Sequence, residues 1–168
     1  MSYRYIWTHK EANFGKPLQR QIGGGTHITF ELILEWGGKY IALRRPQGIP
    51  GHELPPQASR YPRGLLYFCH DLVRYGESIE QCIKRIVRAQ IGVGVAAFRV
   101  VAIYSEVQAK DTQWTFMPHA VVDLDRKPKP GIYGNAVTEV VEFTKRNVPS
   151  DFGWWSKGEL QRFLKKFS

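Results

Sequence analysis

Two cysteines in 168 residues are too few for a disulfide framework, and the spacing from Cys69 to Cys82 matches no paired metal-ligand motif. They read as buried free thiols. No apolar run approaches the roughly 18 residues needed to cross a bilayer, and the opening MSYRYIWTHKEANFGK lacks the apolar centre of a signal peptide. The expectation is a cytoplasmic chain with no membrane partner. Repeats and low-complexity tracts are absent. Acidic residues are scarce, 15 Asp and Glu against 24 Lys and Arg, and the resulting charge of +9 favours phosphate-bearing partners by long-range attraction. The basic residues fall in scattered pairs, Arg44/Arg45, Lys84/Arg85, Lys145/Arg146 and Lys165/Lys166, so a merely solvated surface remains open.

What is present is a core. With 43% hydrophobic residues, including nine Phe, eight Tyr and five Trp, the chain has enough apolar surface to offset the entropy of ordering its backbone, which excludes a disordered tail. Its length suits a single domain over 1–168, with an N-terminal extension over 1–25.

Ile28, Phe30, Leu32, Leu34 and Trp36 alternate with Thr29, Glu31 and Glu35, the period of a strand with one buried face. Gly37-Gly38 then turns the chain into a second strand from Lys39 to Arg44, a hairpin. Five of the ten prolines crowd Pro46 to Pro62, so 46–63 is expected to be a Pro-rich loop. Leu65 to Cys69 reads as one short buried strand. After Gly76-Glu77 the period changes: Ser78 with Gln81 forms a capping box, Ile79, Ile83, Ile86 and Val87 recur at helical spacing, and Gly92 is the stop. Phe98–Val107, Trp114–Leu124 and Thr138–Phe143 are β-branched or aromatic runs expected as strands, with a loop over Asp125–Asn135. Ser156 and Glu159 box a last helix with Leu160, Phe163, Leu164 and Phe167 turned inward. The order predicts a mixed α+β domain.

The segment around Glu77 resembles a Nudix box, G-x5-E-x7-R-E-U-x-E-E-x-G-U with U aliphatic. Framed on Gly92, its positions are Asp71, Glu77, Arg85, Ile86, Val87, Ala89, Gln90, Gly92 and Val93. Glu77, Arg85, Gly92 and the aliphatic positions fit, whereas the first glycine and all three helix glutamates are replaced. The stretch Phe152 to Leu160 is similar to the aromatic-Trp segment that leads into the final Nudix helix. The resemblance implies a Nudix fold, a mixed β-sheet sandwiched between α-helices, and a nucleoside-diphosphate-linked ligand. It also implies Mg2+ or Mn2+ held by helix glutamates that this box lacks: Ile86 and Ala89 offer no ligand atom and Gln90 only a neutral amide. Activity is therefore expected to be weak or lost, and the cofactor either one of those cations or none.

Among Nudix branches the GDP-mannose mannosyl hydrolases also carry an aliphatic residue and an alanine where Ile86 and Ala89 stand. Their base histidine, and the glutamine before it, match Pro149 and Val148 here, which leaves that route without its base. The resemblance assigns pyrophosphate contact to the end of the second strand, Arg45 and Arg44, of which alternation lets one reach the cleft. Glu77 and Arg85 complete the candidate ligand site, or form only a loop-to-helix ion pair. A substitute metal site from His70, Asp71, Glu77 and Gln90 is the alternative, suited to Zn2+ or Mn2+. His119 is expected to be packing. Three functions stay open: a nucleotide-sugar-type hydrolase or binder, a non-catalytic RNA-binding module, and an assembly subunit or homodimer using the Pro-rich loop or the alternating Tyr3, Tyr5 and Trp7.

Overall fold

The computed structural model describes residues 27–46, 55, 57–107, 114–129 and 137–167. The 1–25 extension with Tyr3, Tyr5 and Trp7, half of the 46–63 loop and the end of the 125–135 loop lie outside the described residues.

The first hairpin forms as the pattern requires, with β1 at His27–Trp36 and β2 at Lys39–Arg45 joined through Gly37 and Gly38, both at positive φ. Because β1 is central, both its faces are covered. It pairs parallel with β6 (Trp114–Leu124), which pairs antiparallel with β5 (Val95–Val107). β7 (Glu139–Phe143) lies along the other side of β2. The result is one mixed sheet.

The expected single strand from Leu65 to Cys69 is two strands. Beyond the Leu34–Ile41 pair, β1 and β2 separate. The returning chain follows first one and then the other: β3 (Leu65–Tyr67) pairs with the end of β2, and β4 (Cys69–Leu72) with the start of β1. Phe68 marks the switch, fully buried against Phe152 and Phe143 at ring-centroid distances of 5.1 and 6.3 Å. Short-range patterning sees only an apolar run there, because the change of partner is a tertiary fact.

A helix covers each face. Helix α1 (Ile79–Ile91) sets Cys82, Ile83, Ile86, Val87 and Ile91 against Phe30, Leu32, Leu34, Ile41 and Leu43, each fully buried aliphatic side chain contributing about 1.5–3 kcal/mol. Helix α2 (Lys157–Lys166) sets Leu160, Phe163 and Leu164 against Ile33, Tyr40, Ala42 and Val121 on the other face. Both carry the capping boxes read from sequence, and Gly92 closes α1 in the left-handed conformation at φ 63°. β5 starts at Val95, three residues before the expected Phe98, and carries the exposed Val100, Ile103 and Tyr104. No helix among the described residues is long and apolar enough to cross a membrane.

Candidate functional site

The turn between β4 and α1 is built around one guanidinium. Arg85 donates from Nε to Glu77 Oε1 at 2.5 Å, from Nη1 to Asp71 Oδ2 at 2.7 Å and from Nη2 to the Leu72 carbonyl at 2.8 Å. Glu77 also accepts from the Arg74 amide at 2.9 Å, which ties the loop to the helix it precedes. Burial works against the charge on Arg85, and the bonds to Glu77 and Asp71 outweigh it, so its pKa stands above the ordinary arginine value. Burial likewise opposes the charge on Glu77, and Arg85 with the Arg74 amide holds that carboxyl below its usual range. Both carboxylates on this face are thus committed to one internal cation.

The three helix positions where the resemblance places metal-binding glutamates have other uses. Ile86 is fully buried core. Ala89 is exposed. Gln90, only 6% exposed, is engaged at both ends of its amide: Nε2 donates to the His70 carbonyl at 2.7 Å and Oε1 accepts from Arg45 Nη2 at 2.5 Å.

The quartet His70, Asp71, Glu77 and Gln90 does not assemble around a common point. His70 and Asp71 are neighbours on a strand and leave it on opposite faces. Asp71 and Glu77 close on Arg85, and the His70 ring places Nδ1 3.2 Å from the Phe68 carbonyl. Among the described residues no three His, Cys, Asp or Glu side chains gather to hold a metal ion. A hard divalent cation wants anionic oxygens, and the donors around α1 do not fit one.

The two arginines at the end of β2 divide as alternation requires. Arg44 turns to the α2 side, where Nε meets Glu139 at 2.5 Å and Nη1 meets Asp151 at 2.6 Å and the Gly64 carbonyl at 3.0 Å. It is a clasp between β2, β7 and the segment before α2. Arg45 turns to the α1 side. Its Nη2 holds Gln90, and its buried Nε has no hydrogen-bond partner. Arg74 Nε, in the loop entering α1, is likewise buried and unmatched.

Glu31 is a residue that sequence reading missed, because its strand was taken to have one solvent face. It occupies the same face as Ile33, which packs toward α2, and it stands between His70 on β4 and His119 on β6 in the strand registers. Trp155 donates its indole N–H to Glu31 Oε1 at 3.3 Å. Burial is the dominant influence and, against that bond and the charge of Arg45, pushes the carboxyl up to about 7. The available signal was Ile33, an apolar residue in the supposedly polar register of a strand that turns out to be central. His119 is packing, as expected: 4% exposed, edge-on to Tyr104 at 4.9 Å and to Trp155 at 5.7 Å, with burial lowering its pKa. Its Nδ1 lies 3.0 Å from the Met117 carbonyl, which assigns the proton of the neutral ring to Nδ1. Cys69 and Cys82 are buried free thiols, both pushed up to about 12 by burial.

Trp155 also lines an open cleft of about 550 Å³ with Gln57, Tyr61, Gly153, Trp154 and Lys157. Gln57 braces its floor by donating to the Phe152 and Gly153 carbonyls. Gly153 has no room for a side chain, since a Cβ there would meet Tyr67 Cε1 at 2.2 Å.

No family model and no curated protein matches the chain. Solved structures do. A MutT Nudix hydrolase from Burkholderia pseudomallei superposes with a TM-score of 0.61 at 10% identity, over 84% of this chain and 97% of that one. A pyrophosphohydrolase of Bacillus subtilis gives 0.58 at 14% identity, over 82% and 78%. A Nudix hydrolase from Nitrosomonas europaea gives 0.55 at 17% identity, over 83% and 70%. At such identities the likeness establishes the fold: this chain has the architecture of the Nudix hydrolases.

Proposed function

We propose that this chain binds a nucleoside diphosphate linked to a further group, of the nucleotide-sugar type, and that it hydrolyses such ligands weakly or not at all. The observation that carries this reading is the state of α1. Its retained Glu77 and Arg85 maintain the loop and helix, while Ile86, Ala89 and Gln90 provide core packing, a bare methyl group and an amide already bonded twice. The scaffold that would present a diphosphate is kept, and the anionic oxygens that would hold Mg2+ or Mn2+ beside it are not. Arg45 on the α1 face supplies positive charge for phosphate oxygens, its planar fork being suited to take two at once. The +9 charge of the whole chain draws such ligands in.

The test is a panel of nucleotide sugars and dinucleotides assayed for turnover with Mg2+ and with Mn2+, and for binding by thermal shift with RNA oligonucleotides alongside. Thermal stabilisation by nucleoside-diphosphate compounds without turnover supports the reading. Metal-dependent turnover above about 1 per second, within the ordinary enzyme range, refutes the loss of catalysis. Stabilisation by oligonucleotides alone replaces the small ligand with RNA, and silence toward the whole panel leaves assembly as the function.

A further inference from the structure

We propose that a guanidinium replaces the divalent cation in this site: Arg45, braced by Gln90, is the positive group that meets the ligand's diphosphate, and binding needs no metal. The inference rests on the reading above and says how that ligand is held. A metal cradle built of carboxylates repels a diphosphate until a cation occupies it. Here that repulsion is reduced, because Ile86 and Ala89 carry no charge and Arg85 offsets one of the two charges of Asp71 and Glu77.

The arrangement of Gln90 is that of a brace. Its donor end is fixed to the His70 carbonyl of β4 and its acceptor end to Arg45 Nη2, so the guanidinium is anchored between sheet and helix. Its remaining inner donor, Nε–H, is buried and unmatched, a state that costs free energy unless an acceptor arrives. A phosphate oxygen is the acceptor chemistry suited to it. Glu31, whose charge acts on Arg45, is partly protonated at neutral pH and so cancels the guanidinium only in part.

Calorimetric titration with inorganic pyrophosphate and with ADP, GDP and UDP, in EDTA and in excess Mg2+, decides the matter. The expected result is that at least one of them binds in EDTA as tightly as in Mg2+ or more so. Arg45→Gln should weaken that metal-free binding about tenfold to a hundredfold, the weight of one charged hydrogen bond. Gln90→Leu, which keeps volume and loses the brace, should weaken it less, and Gln90→Glu should weaken it by pairing Arg45 with a new carboxylate. Binding that requires Mg2+ overturns the inference and leaves the diphosphate reading standing. Unchanged metal-free affinity in a folded Arg45→Gln variant also overturns it. Absence of binding in both conditions overturns the diphosphate reading, and the inference with it. The comparison of EDTA with Mg2+ uses the unaltered chain, so it stands even where a variant fails to fold.

Discussion

Replacing Glu31 by Gln should change how stability depends on pH. The carboxyl's pKa is about 7 in the folded chain against 4.5 for an unburied glutamate, mainly because burial penalises the ionised form. Below 4.5 the group is protonated whether folded or unfolded and contributes nothing to the difference. Between 4.5 and 7 the unfolded chain releases the proton while the folded chain keeps it, so stability falls as pH rises, and above 7 the loss is complete. At about 1.4 kcal/mol per pH unit, the full loss is about 3 kcal/mol. Glu31→Gln retains an oxygen to accept from the Trp155 indole and has no proton to lose. Urea denaturation of both proteins at intervals from pH 4.5 to 8.5 isolates the effect, since contributions from other groups cancel in the difference. The variant should gain on the parent by up to about 3 kcal/mol, all of it appearing across that window. A difference that does not change with pH would refute the argument that the sheet setting of this carboxyl penalises its charge.

Three further substitutions separate core, clasp and surface. Ile86→Glu, which places an acid at a fully buried position, should lower stability by more than about 3 kcal/mol, whereas Ala89→Glu on the exposed side should change it by no more than about 0.5 kcal/mol; thermal denaturation reads both. Arg44→Ala leaves Glu139 and Asp151 without their shared cation and should cost about 3 kcal/mol in chemical denaturation. Gly153→Ala forces a methyl group into the Tyr67 ring and should cost about 1–3 kcal/mol, with part of the loss recovered when Tyr67 is also shortened to Leu.

Local chemistry was legible in the sequence wherever a few neighbouring residues decide the outcome. Gly37-Gly38 fixes the hairpin turn, and Ser78 with Gln81, Ser156 with Glu159, and Gly92 bound the two helices by hydrogen bonds between residues three or four apart. Alternation correctly placed Arg44 and Arg45 on opposite faces of β2. It could not say that Arg44 would pair with Glu139 and Asp151, which are about a hundred residues away in the chain. The break at Phe68 and the covered setting of Glu31 were hidden for the same reason: each depends on which strands lie beside β1, and no short window contains that information. That Ile86, Ala89 and Gln90 offer no carboxylate could be read directly. That Gln90 would bridge Arg45 to β4 needed the three-dimensional arrangement.

The most direct measurement of the central claim is titration of the chain with Mn2+ followed by electron paramagnetic resonance, with and without pyrophosphate. The protein alone should leave the signal of free Mn2+ undiminished at millimolar concentrations. A saturable Mn2+ site that disappears in Asp71→Asn or Glu77→Gln would contradict it.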